Sequence, residues 1–181
     1  MLAAILLPTP ALAHPGHDGS GIAAGILHPL TGIDHMAAML MVGLWAGMIA
    51  GRAAWVLPAS FLAAMLGGFA YGAFAHAGGT GVEMVIILSL VALGTAVVVK
   101  LRAPLALAGG LAGLFGFAHG MAHGLESPGG QASVGFAGGF LIATAVLHGV
   151  GLMLARHVPV KWARAIGAVG AGVGLLLAGA A

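Results

Sequence analysis

Long apolar segments, separated by short polar or glycine-rich connections, dominate this chain and restrict what it can fold into. They lie near residues 22–50, 53–76, 82–99, 104–124, 133–155 and 160–180. A helix needs about 20 apolar residues to cross the hydrocarbon core of a bilayer, and backbone polar groups in lipid have to be paired within the segment. We therefore predict an all-α fold, a polytopic membrane bundle of about six transmembrane helices.

The composition supports a membrane protein. The chain is 61% hydrophobic and 6% charged, and its mean hydropathy is +1.12. Soluble domains carry about 25% charged residues. The absence of cysteine excludes disulfides, zinc–thiolate sites and iron–sulfur clusters. A net charge of +2 is too small to indicate a nucleic-acid partner. We predict that membrane lipid surrounds the protein.

Three regions are expected along the chain. Residues 1–13 are apolar, too short to span a bilayer, and end in a small-x-small pattern, so we expect a cleaved signal peptide. It carries no Lys or Arg, which suggests that it is truncated or that its true start lies upstream. Residues 14–21 would then form a periplasmic segment, with His14 and His17 as weaker metal-binding candidates, and residues 22–181 the transmembrane domain.

Basic residues lie in, or directly beside, alternate connections between the apolar segments. They are Arg52, Lys100, Arg102, Arg156, Lys161 and Arg164. By the positive-inside rule these connections face the cytoplasm. The N-terminus then lies on the opposite side, as signal cleavage also requires. We predict a multi-pass protein of the bacterial inner membrane with a periplasmic N-terminus.

The run HPLTGIDHM, residues 28–36, places His28, Asp34 and His35 in an apolar segment. An ionisable group at bilayer depth costs roughly 2.5–3.5 kcal/mol on insertion scales, so these groups need compensating partners. Imidazole and carboxylate together suit a divalent transition-metal ion. Pro29 lacks an amide proton, which predicts a first helix broken near it and the three side chains brought together. The alternative is a kinked helix in which Asp34 and His35 bond a neighbouring helix.

A second run, AHGMAHGLE, ends the fourth segment. His119, His123 and Glu126 follow at i, i+4 and i+7, so they project from one helical face. This spacing is found in helical metal sites, although helix-end histidines beside a loop glutamate remain the alternative. His148 lies alone in the fifth segment. It is either an interhelical hydrogen bonder or a weaker metal candidate acting as a relay on the exit path.

The run HPLTGIDHMAAMLMVGLWAG resembles the first transmembrane signature of the HupE/UreJ proteins, and HGMAHGLE resembles their second. The resemblance covers essentially the whole chain. It implies a small permease for nickel, or in some members cobalt, linked to the supply of hydrogenase or urease. The family's proposed metal residues carry over to His28, Asp34, His35, His119 and His123, and Glu126 matches the acid after the second motif. Ala118 departs from the histidine or aromatic residue that many members have there.

We therefore expect a permease rather than an enzyme, with Ni²⁺ or Co²⁺ as its transported substrate and no permanently bound cofactor. Nitrogen and oxygen ligands also suit Zn²⁺ and Cu²⁺, so the ion stays open, as do energy coupling and oligomeric state. No GxxxxGK[ST] motif occurs, so this chain is not expected to hydrolyse ATP. The alternatives are a membrane protein that binds metal or haem without transporting it.

Overall fold

The computed structural model describes residues 21–49, 51–75, 80–127 and 130–180. Over these ranges the chain is helical and contains no strand, which confirms the all-α prediction. The helices are α1 (Ile22–Thr31), α2 (Ile33–Ile49), α3 (Val56–Ala75), α4 (Thr80–Val99), α5 (Leu105–Leu125), α6 (Gly130–His157) and α7 (Val160–Ala178), with a short 3₁₀ turn at Gly51–Ala53. The predicted signal peptide, His14 and His17 lie outside the described residues.

Each of the helices α3 to α7 is long and apolar enough to cross a membrane. Helices α1 and α2 meet that criterion only as a pair, and they are bent by 90° relative to each other. Large apolar side chains such as Phe74, Val134 and Leu176 are exposed on the outside of the bundle, where lipid would cover them. The protein is therefore a multi-pass membrane protein, and its described residues contain five candidate spans, or six if the bent pair is one span.

The break in the first segment lies at Gly32, three residues beyond Pro29. Pro29 stays inside α1, and Gly32 adopts an extended conformation with φ −94° and ψ 113°. A β-carbon at Gly32 would lie 3.1 Å from Oδ1 of Asp34 and 3.2 Å from Nδ1 of His35. The prediction of a break near Pro29 is therefore confirmed, and the bend itself falls where the chain has no side chain to obstruct these two groups.

Close helix packing fixes α5 against α3, which is the most extensive helix pair in the bundle. Glycines at four-residue spacing on α5 lie directly against the backbone of α3; they are Gly116, Gly120 and Gly124. Similar contacts join α1 and α2 to α6, where Gly43 meets the backbone of His148. Small residues allow such close approach between membrane helices. The two predicted motifs thus lie on different packed groups of helices, α5 with α3 and α1–α2 with α6.

Candidate metal site

The two sequence motifs meet at His123. Its ring centroid is 4.7 Å from that of His28 on α1 and 4.6 Å from that of His35 on α2. His35 in turn lies 5.1 Å from His119, one turn before His123 on α5. These four residues form one group, which we call the four-histidine cluster. The 90° bend between α1 and α2 lets His28 and His35 approach the same imidazole from two directions.

Glu126 lies at one end of this cluster, directly after α5. The Nε2–H group of His28 donates a hydrogen bond to Oε2 of Glu126 over 3.0 Å, and Nδ1 of His123 lies 3.6 Å from the same oxygen. One ligand atom from each of the three residues lies within 4.8 Å of the others, a separation that one metal ion could bridge. The imidazoles of His123 and His28 hold the pKa of Glu126 well below its usual range, so it is ionised at neutral pH.

Asp34 contacts His35 twice through a single oxygen. Its Oδ1 accepts hydrogen bonds from the backbone N–H of His35 over 2.8 Å and from Nδ1–H of the ring over 2.9 Å. A carboxylate only accepts, so Nδ1 carries the proton and Nε2 keeps a lone pair. Nε2 is buried and has no hydrogen-bond partner among the described residues. This is the carboxylate–histidine arrangement that orients metal ligands in proteins.

His119 is oriented in a related way by the backbone. Its Nδ1–H donates to the carbonyl of Phe115 over 2.8 Å, which again leaves Nε2 with a lone pair. This nitrogen and both ring nitrogens of His123 are buried without a hydrogen-bond partner within the described ranges. Leaving a buried polar group unpaired costs about 1–3 kcal/mol. Coordination of a cation by these lone pairs would offset that cost.

Burial of the ligand groups increases with depth. Glu126 is 59% exposed and His28 31%, whereas His123 is 3% exposed and His119 is fully buried. The arrangement therefore grades from a solvated carboxylate to imidazoles that water does not reach. A hydrated ion entering at Glu126 could exchange water for nitrogen ligands step by step.

Aromatic side chains that the sequence analysis did not single out form the walls of the site. Phe136 lies 5.1 Å from His28, Phe140 lies 4.0 Å from His123, and Phe61 lies 5.3 Å from His119, measured between ring centroids. The available signal was the four-residue spacing of Phe136 and Phe140, which places them on one face of α6. These rings lower the polarity around the imidazoles and keep water away from them.

The predicted site residues thus fall into three groups. His28, Asp34, His35, His119, His123 and Glu126 come together in one site. The ring centroid of His148 lies 5.0 Å from that of Phe61, which in turn contacts His119. His14 and His17 are outside the described residues. Metal binding by any of these residues stays a prediction.

Sequence comparison assigns the chain to a family. The model of the family described as HupE / UreJ protein matches residues 2–180. The chain belongs to the HupE/UreJ family. It is 38% identical over 180 residues to Protein HupE of Rhizobium leguminosarum bv. viciae, covering 99% of this chain and 93% of that protein. HupE/UreJ is a transporter-type family related to nickel and cobalt transport. No solved structure matches the chain.

Proposed function

We propose that this protein is a permease for the uptake of a divalent transition-metal ion, Ni²⁺ or else Co²⁺. One observation carries the proposal: ligand atoms of His28, His123 and Glu126 lie within 4.8 Å of one another, although the sequence separates His28 from the other two by more than 90 residues. Imidazole nitrogens with a carboxylate oxygen suit borderline divalent ions. Membership of a family related to nickel and cobalt transport supports the same substrate class.

The site residues have distinct roles in this proposal. The exposed carboxylate of Glu126 attracts the cation, and His28 and His123 are its first nitrogen ligands. Because the Nε2–H group of His28 donates a hydrogen bond to Glu126 in the absence of metal, binding of the ion between them replaces that hydrogen bond, and the imidazole proton moves to Nδ1. The ion then reaches Nε2 of His35 and His119. Asp34 acts through His35, whose ring it orients, and so is a positioning residue.

The orientation follows from charge. The basic residues lie at the α2–α3, α4–α5 and α6–α7 connections or next to them, whereas Glu126 lies at the opposite end of α5. We infer that the basic end faces the cytoplasm of a bacterial inner membrane and the Glu126 end faces the periplasm. A membrane potential of 100 mV then favours dication entry by about 4.6 kcal/mol, at roughly 2.3 kcal/mol per charge. Facilitated entry could supply a nickel enzyme such as a hydrogenase or urease.

Uptake into sealed proteoliposomes tests the proposal. The full chain is reconstituted with an inside-negative potential, and accumulation of Ni²⁺ and of Co²⁺ is followed over time. His123→Gln removes a buried ligand, and we expect uptake to fall about 10- to 100-fold. The matched control is His157→Gln, which changes an exposed histidine at the end of α6 and should leave uptake unchanged.

The outcomes separate the alternatives. Equal uptake by wild type and His123→Gln would contradict the site. Stoichiometric metal binding without flux would identify a non-transporting metal-binding protein. A visible absorption band in the purified protein would identify a haem protein.

A further inference from the structure

Helix α6 carries a row of side chains that leads away from the four-histidine cluster. Phe136, Phe140, Thr144 and His148 follow one another at four-residue intervals and therefore share one face. The first two contact the rings of His28 and His123. Since α-helices rise 1.5 Å per residue, His148 lies about 12 Å along α6 from Phe140, toward the end that carries Arg156.

His148 is a buried polar group that the proposed uptake site does not use. Its side chain is 1% exposed, and neither ring nitrogen has a hydrogen-bond partner among the described residues. A histidine kept only for interhelical hydrogen bonding would have such a partner. The unpaired nitrogens indicate a ligand that binds at this level of the bundle.

Phe61 contacts both His148 and the four-histidine cluster. Its ring centroid lies 5.3 Å from that of His119 and 5.0 Å from that of His148. The rings of Phe61 and His148 are perpendicular to each other. Phe61 is itself completely buried. The His119 and His148 rings are therefore no more than about 10 Å apart, and both contact the same apolar ring.

Neutral donor atoms lie one helical turn before His148, around Thr144. The hydroxyl of Thr144, one turn earlier on α6, lies 3.3 Å from the thioether of Met39 and 3.9 Å from that of Met65. All three side chains are at most 1% exposed. Hydroxyl and thioether groups are weak, uncharged ligands, and the two thioethers suit a soft or borderline cation better than a hard one.

We propose that His148 is the principal ligand of a second, inner metal-binding site, assisted by Thr144 and the thioethers of Met39 and Met65, and adjacent to Phe61, which also contacts the four-histidine cluster. This inference rests on the proposed function, because the inner site receives the ion from the four-histidine cluster on its way across the membrane. Fewer and weaker ligands at the inner site favour release after the stronger nitrogen and carboxylate set has captured the ion.

Equilibrium binding of Ni²⁺ alone to the purified full chain, by dialysis and by titration calorimetry, tests this inference. Wild type should bind two ions per chain, one tightly and one weakly. His148→Gln should bind one ion with the tight affinity unchanged, and its uptake into vesicles should fall. His157→Gln, an exposed histidine on the same helix, should still bind two ions.

Thr144→Val keeps the side-chain shape, and it is the variant to test if His148→Gln does not fold. It should raise the weaker dissociation constant about tenfold and leave the tighter one unchanged, since it removes one donor next to the principal ligand. Unchanged weak binding in Thr144→Val, or two ions bound by His148→Gln, would overturn the inner site. One ion bound by wild type would overturn the inner site while sparing the proposed function. No bound ion in wild type would overturn both.

Discussion

Oδ1 of Asp34 lies 2.9 Å from Nδ1 of His35 and 2.8 Å from the backbone nitrogen of the same residue. One carboxylate oxygen thus fixes both the first turn of α2 and the orientation of the imidazole that follows it. The lone pair on Nε2 of His35 is thereby directed away from Asp34. The charge of Asp34 serves metal binding through this orientation and through the basicity it confers on the ring.

Asp34→Asn tests that role. The substitution keeps size and an acceptor oxygen but removes the charge, so we expect Ni²⁺ affinity to fall about 10- to 100-fold and uptake at low metal concentration to be lost. Membrane insertion and thermal stability should be close to wild type. Glu83→Gln is the matched control, since it makes the same chemical change at an exposed acid at the start of α4. Normal affinity and uptake in Asp34→Asn would show that the Asp34–His35 pair is structural.

Glu126→Gln separates capture of the ion from its transport. Glu126 is 59% exposed and supplies charge at the entrance of the site, whereas the deeper ligands are neutral imidazoles. We expect the Ni²⁺ concentration for half-maximal uptake to rise several-fold, with a smaller change in the maximal rate. Raising the ionic strength should reduce the difference between variant and wild type, because salt screens exposed charges. A loss of maximal rate as large as that of Asp34→Asn would instead assign Glu126 to the transport step.

Gly120→Ala tests the contact that fixes α5 to α3. A β-carbon at Gly120 would overlap the backbone carbonyl of Met65, so the two helices would have to separate. Overpacking of this type costs about 1–3 kcal/mol. We expect a lower melting temperature in detergent and reduced uptake, because His119 and His123 move with α5. Gly110→Ala is the control on the same helix: its β-carbon meets nothing within 4 Å, so stability and uptake should be unchanged.

Single cysteines test the proposed orientation, since the chain has no cysteine of its own. In intact cells we expect Ser127→Cys to react with an impermeant thiol reagent from outside. Arg52→Cys and Arg156→Cys should react only after the membrane is opened. The reverse pattern would invert the topology and, with it, the side from which the ion enters.

The fold was largely predictable from the sequence because length and hydropathy determine a membrane helix with little help from neighbours. The bend was predicted near Pro29 but lies at Gly32, because Pro29 is accommodated inside α1 and the extended residue is the glycine, where a β-carbon would crowd Asp34 and His35. The hydropathy pattern does not distinguish the two positions, since both lie within one apolar segment.

The residues of the candidate site were predictable from the sequence, but the contacts between the two motifs were not. The first motif is more than 80 residues from the second, and only helix packing decides that His123 meets both His28 and His35. The hydrogen bond between His28 and Glu126 depends on the same packing. Phe61 gave no signal at all, because a phenylalanine in an apolar helix is indistinguishable from ordinary core.

The glycine contacts between α3 and α5 have a mechanical consequence. Because the backbones of these helices are in direct contact, no side chains between them can rearrange to let one helix shift against the other. The pair would therefore move as one rigid unit. His119 and His123 belong to this rigid unit, whereas His28 and His35 belong to helices packed on α6. The distances among the ligands then depend on the tilt between two stiff bodies. Bilayer thickness and lateral pressure, which act on tilt, would thereby tune the affinity of the site for its ion.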